Sequence, residues 1–336
     1  MNMTIKDVAR LSNVSPATVS RVLNKVPFGM SKETRDKVLQ VIEQTGYNPN
    51  AVARSMVTKK NTSIGLIVPD ITNPFYALMA KGIGKAAGEK GYDVILCNSD
   101  NDGEDEYRNL RRLKDNYVAG IIYNNYHAGS KTMKLIDSIH VPVIYIDNQR
   151  DADNAICIHV KQKQGMKMMT DFLVDNGHRK FAYLAGPESV FSASQRLLGF
   201  EDSLASHHIP LIPELVLHCD YTMEGGRVAT RKILDGNNSQ ITCIICANDL
   251  IALGTIQILQ EAGLSIPKDI SVTGFDNIPF SRLVTPGLTT IDNPVEAMGN
   301  FAAGTIIRLI EGEQVQQIRD YAFAPTLIER NSVATL

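Results

Sequence analysis

The sequence predicts two architectures in one chain, an all-α head with a helix-turn-helix arrangement and an α/β body of two parallel-sheet subdomains. Three observations predict this. The chain has 336 residues, too many for one ordinary hydrophobic core. Its first sixty residues read as short capped helices. Beyond them, apolar runs alternate with amphipathic stretches, and the alternation restarts after Gly165.

Composition excludes several classes. With 44% hydrophobic and 21% charged residues the chain is neither largely disordered nor a disulfide mini-domain. It contains no apolar run near the ~20 residues of a membrane helix, and Met1 to Asp7 lacks the apolar core of a signal peptide. The five cysteines (Cys97, Cys157, Cys219, Cys243, Cys246) form no regular framework. A reduced, cytoplasmic protein is the expectation.

The net charge of −2 conceals an asymmetry. Residues 1–60 hold ten Lys or Arg against four Asp or Glu, a surplus of +6, and the remainder carries −8. A basic head on an acidic body suits a polyanion, with scattered surface charge as the plainer reading.

The head reads helix by helix. Thr4-Ile5-Lys6-Asp7 fits a capping box, and the helix it opens is expected to turn Val8 and Leu11 inward. Asn13-Val14-Ser15 breaks the helix. Ser15-Pro16 starts the next, with a hydroxyl cap and proline at the first turn, where its missing N–H costs nothing. Val19, Val22 and Leu23 are expected inward, and Ala17, Arg21 and Asn24 or Lys25 outward. Ser31-Lys32-Glu33-Thr34 opens a third helix with Val38, Leu39 and Ile42 as its core face, ending near Gly46. Two short helices joined by a tight turn and braced by a third form a helix-turn-helix, and the small or cationic outer residues of the second suit a major groove. A generic three-helix cap has the same spacing.

In the body, Ser63–Val68, 93–97, 119–123 and 141–146 read as strands, with helices over 75–91 and 105–116. After Gly165, 180–184, 215–219, 242–246 and 270–273 are strands separated by helices. Ligands of open parallel sheets bind beyond the carboxyl ends of the strands. Polar groups collect there: Asp70 to Tyr76, Asp147-Asn148, Ala247-Asn248-Asp249 and Gly274 to Asn277. Carboxylates, amides, Arg196 and the Phe75/Tyr76 pair are what a sugar requires for its hydroxyls and its C–H face. The plainer readings are helix capping for Asn73, Asp249 and Asp276, and core packing for Phe75 and Tyr76. Asp249 is assigned mainly to capping or cleft structure.

Several separate motifs carry a resemblance. Thr4-Ile5-Lys6-Asp7-Val8-Ala9-Arg10, then Val14 to Asn24 (VSPATVSRVLN) and Glu43 to Ser55 (EQTGYNPNAVARS), closely resemble the headpiece of the lactose-repressor (LacI/GalR) family, and the match runs to the C-terminus. The body then resembles the type I periplasmic-binding-protein fold. The resemblance implies DNA contacts from Thr4, Ser15, Pro16, Ala17, Thr18, Ser20, Arg21 and Asn24. It also implies a hinge helix over Asn50 to Val57, with Asn50, Ala53, Arg54 and Met56 at DNA. Met56 stands at the place of a leucine lever that wedges between base steps, or packs on a dimer mate. Arg21 suits guanine and Ala17 a thymine methyl.

The same resemblance implies effector contacts from Asn73, Phe75, Tyr76, Asp147, Arg196, Tyr221, Asn248, Asp276 and Asn293. It implies three passages between subdomains, near 161, 292 and 323. The expected division is 1–47 headpiece, 48–62 hinge helix and linker, 63–161 with 293–322 as one effector subdomain, and 162–292 with 323–336 as the other. The family's operators commonly consist of abutting half-sites with a central CpG step. The implied partners are palindromic operator DNA, a small sugar and a second copy of the chain. The resemblance also leaves open a phosphorylated phosphocarrier corepressor, conceivable for some relatives. No cofactor, metal, membrane or enzymatic activity is expected.

The sequence departs from the family at three places. Asn148 stands where Arg is common, removing a fork donor. Lys161-Gln162 replaces a common Asp-Asn pair, which suits either an anionic effector or, as the favoured reading, a surface ion pair. Phe28-Gly29-Met30 replaces a short polar turn, with no functional account. Other motifs read as empty: Cys243-Ile244-Ile245-Cys246 lies in a buried strand, His207-His208 in an exposed turn, and Gly225-Gly226 lacks a dinucleotide-binding context. The ribose-operon repressors resemble the C-terminal segment Leu327 to Ala334, so ribose or another pentose is the leading effector. The competing class is a carbohydrate-binding or carbohydrate-acting protein whose head does not read DNA.

Overall fold

The computed structural model describes residues 3–23, 29–47, 61–124, 129–148, 155–236, 240–315 and 319–336. The chain divides into two compact units, Met1–Asn61 and Thr62–Leu336.

The first unit contains α1 (Ile5–Ser12), α2 (Pro16–Leu23) and α3 (Lys32–Thr45). Thr4 and Asp7 form the capping box, and Asn13 ends α1 in the left-handed region at φ 55°. Ser15 Oγ accepts the Thr18 N–H at 3.1 Å. Ser31 caps α3 and Gly46 ends it at φ 61°. Val8, Ala9, Val19, Val22 and Val38 form the core. Two expected core residues lie outside it: Leu11 is 50% exposed and Leu39 46%. Three helices this short enclose one narrow stripe each. On α1 that stripe runs through Val8, Ala9 and Ser12, and on α3 through Val38, with Val41 and Ile42 packed beside it. One helical step of 100° carries Leu39 off the face.

The second unit holds two six-stranded sheets. The first comprises β1 (Ser63–Val68), β2 (Asp93–Asn98), β3 (Gly120–Tyr123), β4 (Val143–Ile146), β5 (Ile156–Val160) and β11 (Asp320–Phe323), in the order β11-β5-β4-β3-β1-β2. The second comprises β6 (Phe181–Ala185), β7 (Val216–His218), β8 (Cys243–Cys246), β9 (Ser271–Asp276), β10 (Thr289–Asp292) and β12 (Thr326–Ile328), in the order β12-β10-β9-β8-β6-β7. All pairings are parallel except β12 on β10. That antiparallel edge, and the strands β5, β10, β11 and β12, were not among the strands read from the sequence. All four are short, and β11 and β12 are supplied by chain that arrives from the other sheet. β9 also extends to Asp276 rather than stopping at Thr273.

Helices α4 (Pro74–Glu89), α5 (Gly103–Asp115) and α6 (Ser130–Asp137) serve the first sheet. Helices α7 (Gln162–Asp175), α8 (Phe191–Ser206), α9 (Met223–Asp235) and α10 (Asp249–Glu261) serve the second. The last helix, α11 (Val295–Ile310), follows β10 of the second sheet yet packs on α4 of the first. The chain therefore passes between sheets at Lys161, at Asn293-Pro294 and at Ala324-Pro325.

Close helix pairing rests on glycine. A Cβ on Gly82 of α4 would strike the Glu296 backbone of α11, and one on Gly299 of α11 would strike the Met79 backbone of α4. Gly226 and Gly254 do the same for α9 and α10. The strand order reverses at β1/β3 and at β6/β8, where open α/β sheets bind ligands.

Candidate functional site

Eight of the nine expected effector residues line one pocket: Asn73, Phe75, Tyr76, Asp147, Arg196, Tyr221, Asn248 and Asp276, with Ser192 among them. The ninth, Asn293, donates its amide to Asp276 Oδ1 at 2.7 Å. These residues come from both sheets.

Each is positioned by its own element. Asn73 caps α4 by accepting the Phe75 N–H at 3.0 Å, so its cap role and its place in the cleft coincide. Phe75 and Tyr76 meet edge to face with centroids 5.1 Å apart and also belong to the first sheet's core. Asn248, not Asp249, caps α10, through the Ile251 N–H at 2.8 Å. Asp249 is instead buried, accepting from the Ile278 N–H at 2.8 Å and the Thr290 hydroxyl at 2.6 Å. It ties β10 to the turn after β9, which corrects the capping part of its assignment. Asp276 caps no helix either.

Two cleft aspartates sit in backbone conformations that L residues rarely adopt. Asp147 has φ 50° and Asp276 φ 108°. Such conformations cost about 1–3 kcal/mol each and persist where surrounding bonds over-determine them. Asp147 N–H donates to Ile158 O at 2.7 Å. Asp276 accepts from both Arg196 and Asn293.

Arg196 organises the centre. It is 2% exposed. Nη2 donates to Asp276 at 2.9 Å, Nε donates to Gln162 Oε1 at 2.9 Å, and Nη1 donates to the Ala247 carbonyl. Its guanidinium stacks over Phe275, with Cζ 3.9 Å from the centroid, and Tyr221 lies 5.7 Å away. A Cβ on Gly186 would collide with the Tyr221 ring, so that position admits the ring only as glycine. Burial pushes the Asp276 carboxyl up to about 6 although Arg196 pulls it down. Burial raises Asp147 too, against the pull of Arg196 and Gln162. Burial lowers the Arg196 pKa, but Asp276, Tyr221 and Asp147 outweigh it and hold the guanidinium charged. Two acids thus face one guanidinium. Asn293 Oδ1 and Tyr183 Oη are buried with no hydrogen-bond partner among the described residues.

The space left between these side chains is about 10 Å³, no more than one water occupies. A sugar enters only if side chains swing or the two sheets part.

Sequence reasoning missed three participants: Gln162, Ser192 and Phe275. Gln162 stood beside the conspicuous Lys161 in the same departure from the family pattern. Lys161 is exposed, in keeping with the surface reading, and makes no ion pair among the described residues. Phe275 was hidden by its polar neighbours.

On the first unit, Thr4, Ser15, Pro16, Ala17 and Arg21 are exposed, and Thr18 and Ser20 half-buried. Asn24, Asn50, Ala53, Arg54 and Met56 lie outside the described residues, as does Phe28. Among the minor motifs, Cys243 and Cys246 are buried in β8 with both thiols pushed up by burial. His207 is exposed and contacts Asp171 at 3.1 Å. No helix among the described residues is long and apolar enough to cross a membrane.

Two family descriptions match the chain: "Bacterial regulatory proteins, lacI family" over residues 4–50 and "Periplasmic binding proteins and sugar binding domain of LacI family" over residues 61–325. The chain belongs to the LacI family. This LacI-family protein is 34% identical over 316 residues to the catabolite control protein A of Priestia megaterium, covering 94% of this chain and 95% of that one. It is 32% identical to the ribose operon repressor of Halalkalibacterium halodurans, covering 98% and 96%. A lac repressor dimer bound to operator and the anti-inducer ONPF superposes with a TM-score of 0.89 at 27% identity, over 99% of this chain and 100% of that one. The protein is accordingly a LacI-family transcriptional repressor and not an enzyme.

Proposed function

We propose that the protein is a homodimer that holds a palindromic operator through its first sixty residues and is released by a small neutral sugar, ribose or another pentose. The observation that carries the effector half is the meeting of Asp147, Arg196, Asp276 and Asn293 in one cleft formed from both sheets. Alternating carboxylates, amides and a guanidinium match the paired donors and acceptors of a polyol, and Phe75, Tyr76 and Phe275 supply apolar faces. Two acids against one guanidinium favour a neutral ligand over a sugar phosphate. The similarity to a ribose operon repressor supports a pentose.

For the DNA half we assign base and backbone contacts to Thr4, Ser15, Pro16, Ala17, Thr18, Ser20 and Arg21, and extend the assignment to Asn24, Asn50, Ala53, Arg54 and Met56. The exposed cap and outer face of α2 support it. We divide the chain at 47, 62, 161, 292 and 322, because the passages between sheets lie at or beside the last three positions. Release is a population shift: sugar favours one arrangement of the two subdomains, and the hinge segments pair on DNA in the other.

The similarity to a catabolite control protein supports a second reading, in which a phosphorylated phosphocarrier acts as corepressor. Fluorescence anisotropy of a labelled palindrome from the protein's own promoter, with and without D-ribose, tests the first reading. Tight binding that ribose weakens establishes it. Tight binding that ribose leaves unchanged removes the pentose, and binding that appears only with the phosphocarrier favours the second. Absence of binding at low salt overturns the DNA-reading head.

A further inference from the structure

Gln162 joins the two sides of the cleft. It is the first residue of α7, directly after the chain leaves the first sheet at Lys161. It is 2% exposed. Its Nε2 donates to Asp147 Oδ1 at 2.8 Å, and its Oε1 accepts from Arg196 Nε at 2.9 Å. Asp147 directly follows β4 of the first sheet, and Arg196 is carried by α8 against the second. The chemistry dictates the orientation of the amide, because an ionised carboxylate only accepts and a guanidinium only donates. A carboxamide has one of each, and its span is set by the arm that carries it.

We propose that Gln162 is an intramolecular stand-in for the effector, and that a sugar binds by exchanging its own hydroxyls for this carboxamide at Asp147 and Arg196. The inference rests on the reading that the effector occupies this cleft. A sugar hydroxyl, like the amide, donates to one group while accepting from another, so it satisfies the same two groups. Gln162 reaches these two groups from the adjoining space beside His159 and Phe191, so the competition is for their hydrogen bonds. Exchange also releases the amide from the first sheet's Asp147, at the point where the chain passes between sheets. Gln162 is thus a positioning residue that couples occupancy of the cleft to the freedom of the first passage.

Two measurements on the full-length protein test this, and they fail independently. The first titrates wild type and Gln162→Ala with D-ribose, D-xylose, D-fructose and D-glucose by calorimetry. Removing the competitor leaves Asp147 and Arg196 unsatisfied until sugar arrives, so Gln162→Ala binds about three- to tenfold tighter. Equal or weaker binding by a variant that melts cooperatively overturns the stand-in. Should wild type bind none of the four, the sugar reading of the cleft falls, and the second measurement still decides the bridge.

That second measurement adds no sugar. Gln162→Glu keeps the arm and the acceptor to Arg196 but replaces the donor with an acid facing Asp147. The titratable groups around the bridge are Asp147, Asp276, Arg196, His159, Tyr183 and Tyr221. They are common to both proteins, so the difference between the two melting temperatures isolates the substitution. That difference is small near about pH 5, where a shared proton restores the contact, and grows by several degrees near about pH 8. A difference independent of pH shows that the amide does not stand between the two groups, and overturns the inference.

Discussion

At the scale of the residue, the buried charges of the cleft carry most of the testable content. Arg196 has a partner on Nε, on Nη1 and on Nη2, and Phe275 beneath its plane. Lysine retains the charge but not the fork. Arg196→Lys is therefore expected to cost about 1–3 kcal/mol, the usual consequence of leaving buried acceptors without their donors. Urea denaturation gives that value, and sugar binding is expected to disappear with it. Asp276 gives a pH signature. Burial raises its folded pKa to about 6 from the ordinary carboxylate value of 3.8. Between those values the folded protein binds more protons than the unfolded chain, so this group's contribution lowers stability as pH rises through the window. Asp276→Asn is expected to flatten the decline over that window in a series of melts at stepped pH. A steeper decline in the variant contradicts the assignment. Most of these residues were legible early, because polar side chains immediately beyond apolar strands have few structural reasons to be there. Gln162 was not legible, since its role depends on Asp147 and Arg196, 15 and 34 residues away.

At the scale of the element, helix termini and helix contacts behave differently as information. Caps are local: Thr4, Ser31, Asn73 and Asn248 each bond a backbone N–H two or three residues ahead. Such sites can be read from a few neighbouring residues, although choosing between Asn248 and Asp249 required the geometry. Ser31→Ala is expected to cost about 1 kcal/mol, and to lower the urea midpoint of the head without touching the body. Contacts between helices are non-local. The reciprocal approach of α4 and α11 through Gly82 and Gly299 pairs residues more than 200 positions apart, and no periodicity announces it. Gly299→Ala is expected to destabilise by about 1–3 kcal/mol through overpacking, measured by urea unfolding of the body. Gly84, whose added Cβ would meet no atom within 4 Å, is the control expected to tolerate alanine. The same distinction explains Leu11 and Leu39. Their helices were read correctly, but the width of the buried stripe depends on how closely three helices approach.

At the scale of the whole molecule, charge and coupling are the quantities to measure. The surplus of +6 in residues 1–60 stands against −8 in the remainder, so the DNA affinity should originate in the head and be strongly salt-dependent. For 6–10 phosphate contacts, affinity is expected to fall about 10³- to 10⁵-fold between about 50 and 200 mM salt. A shallow slope in anisotropy titrations contradicts a phosphate-tracking head. Sugar and operator must also weaken each other by one factor, typically about 5–150-fold. Measuring sugar affinity with and without operator checks the reciprocity, and unequal factors would show that a third equilibrium intervenes.

What the sequence determined by itself was whatever is written in neighbouring residues or in one period. It determined the helical head with its caps, the alternation of strands and helices, the basic-to-acidic division, and the clustering of polar groups at strand ends. Those features follow from backbone hydrogen bonding and burial within a few residues. The tertiary structure alone decided which distant residues share a site. It placed β12 antiparallel on β10, turned Asp249 from a cap into a tie, and set Gln162 between an aspartate of one sheet and an arginine of the other. The physical reason is that a buried charge or amide is defined by the partners that satisfy it, and folding brings those partners from anywhere along the chain.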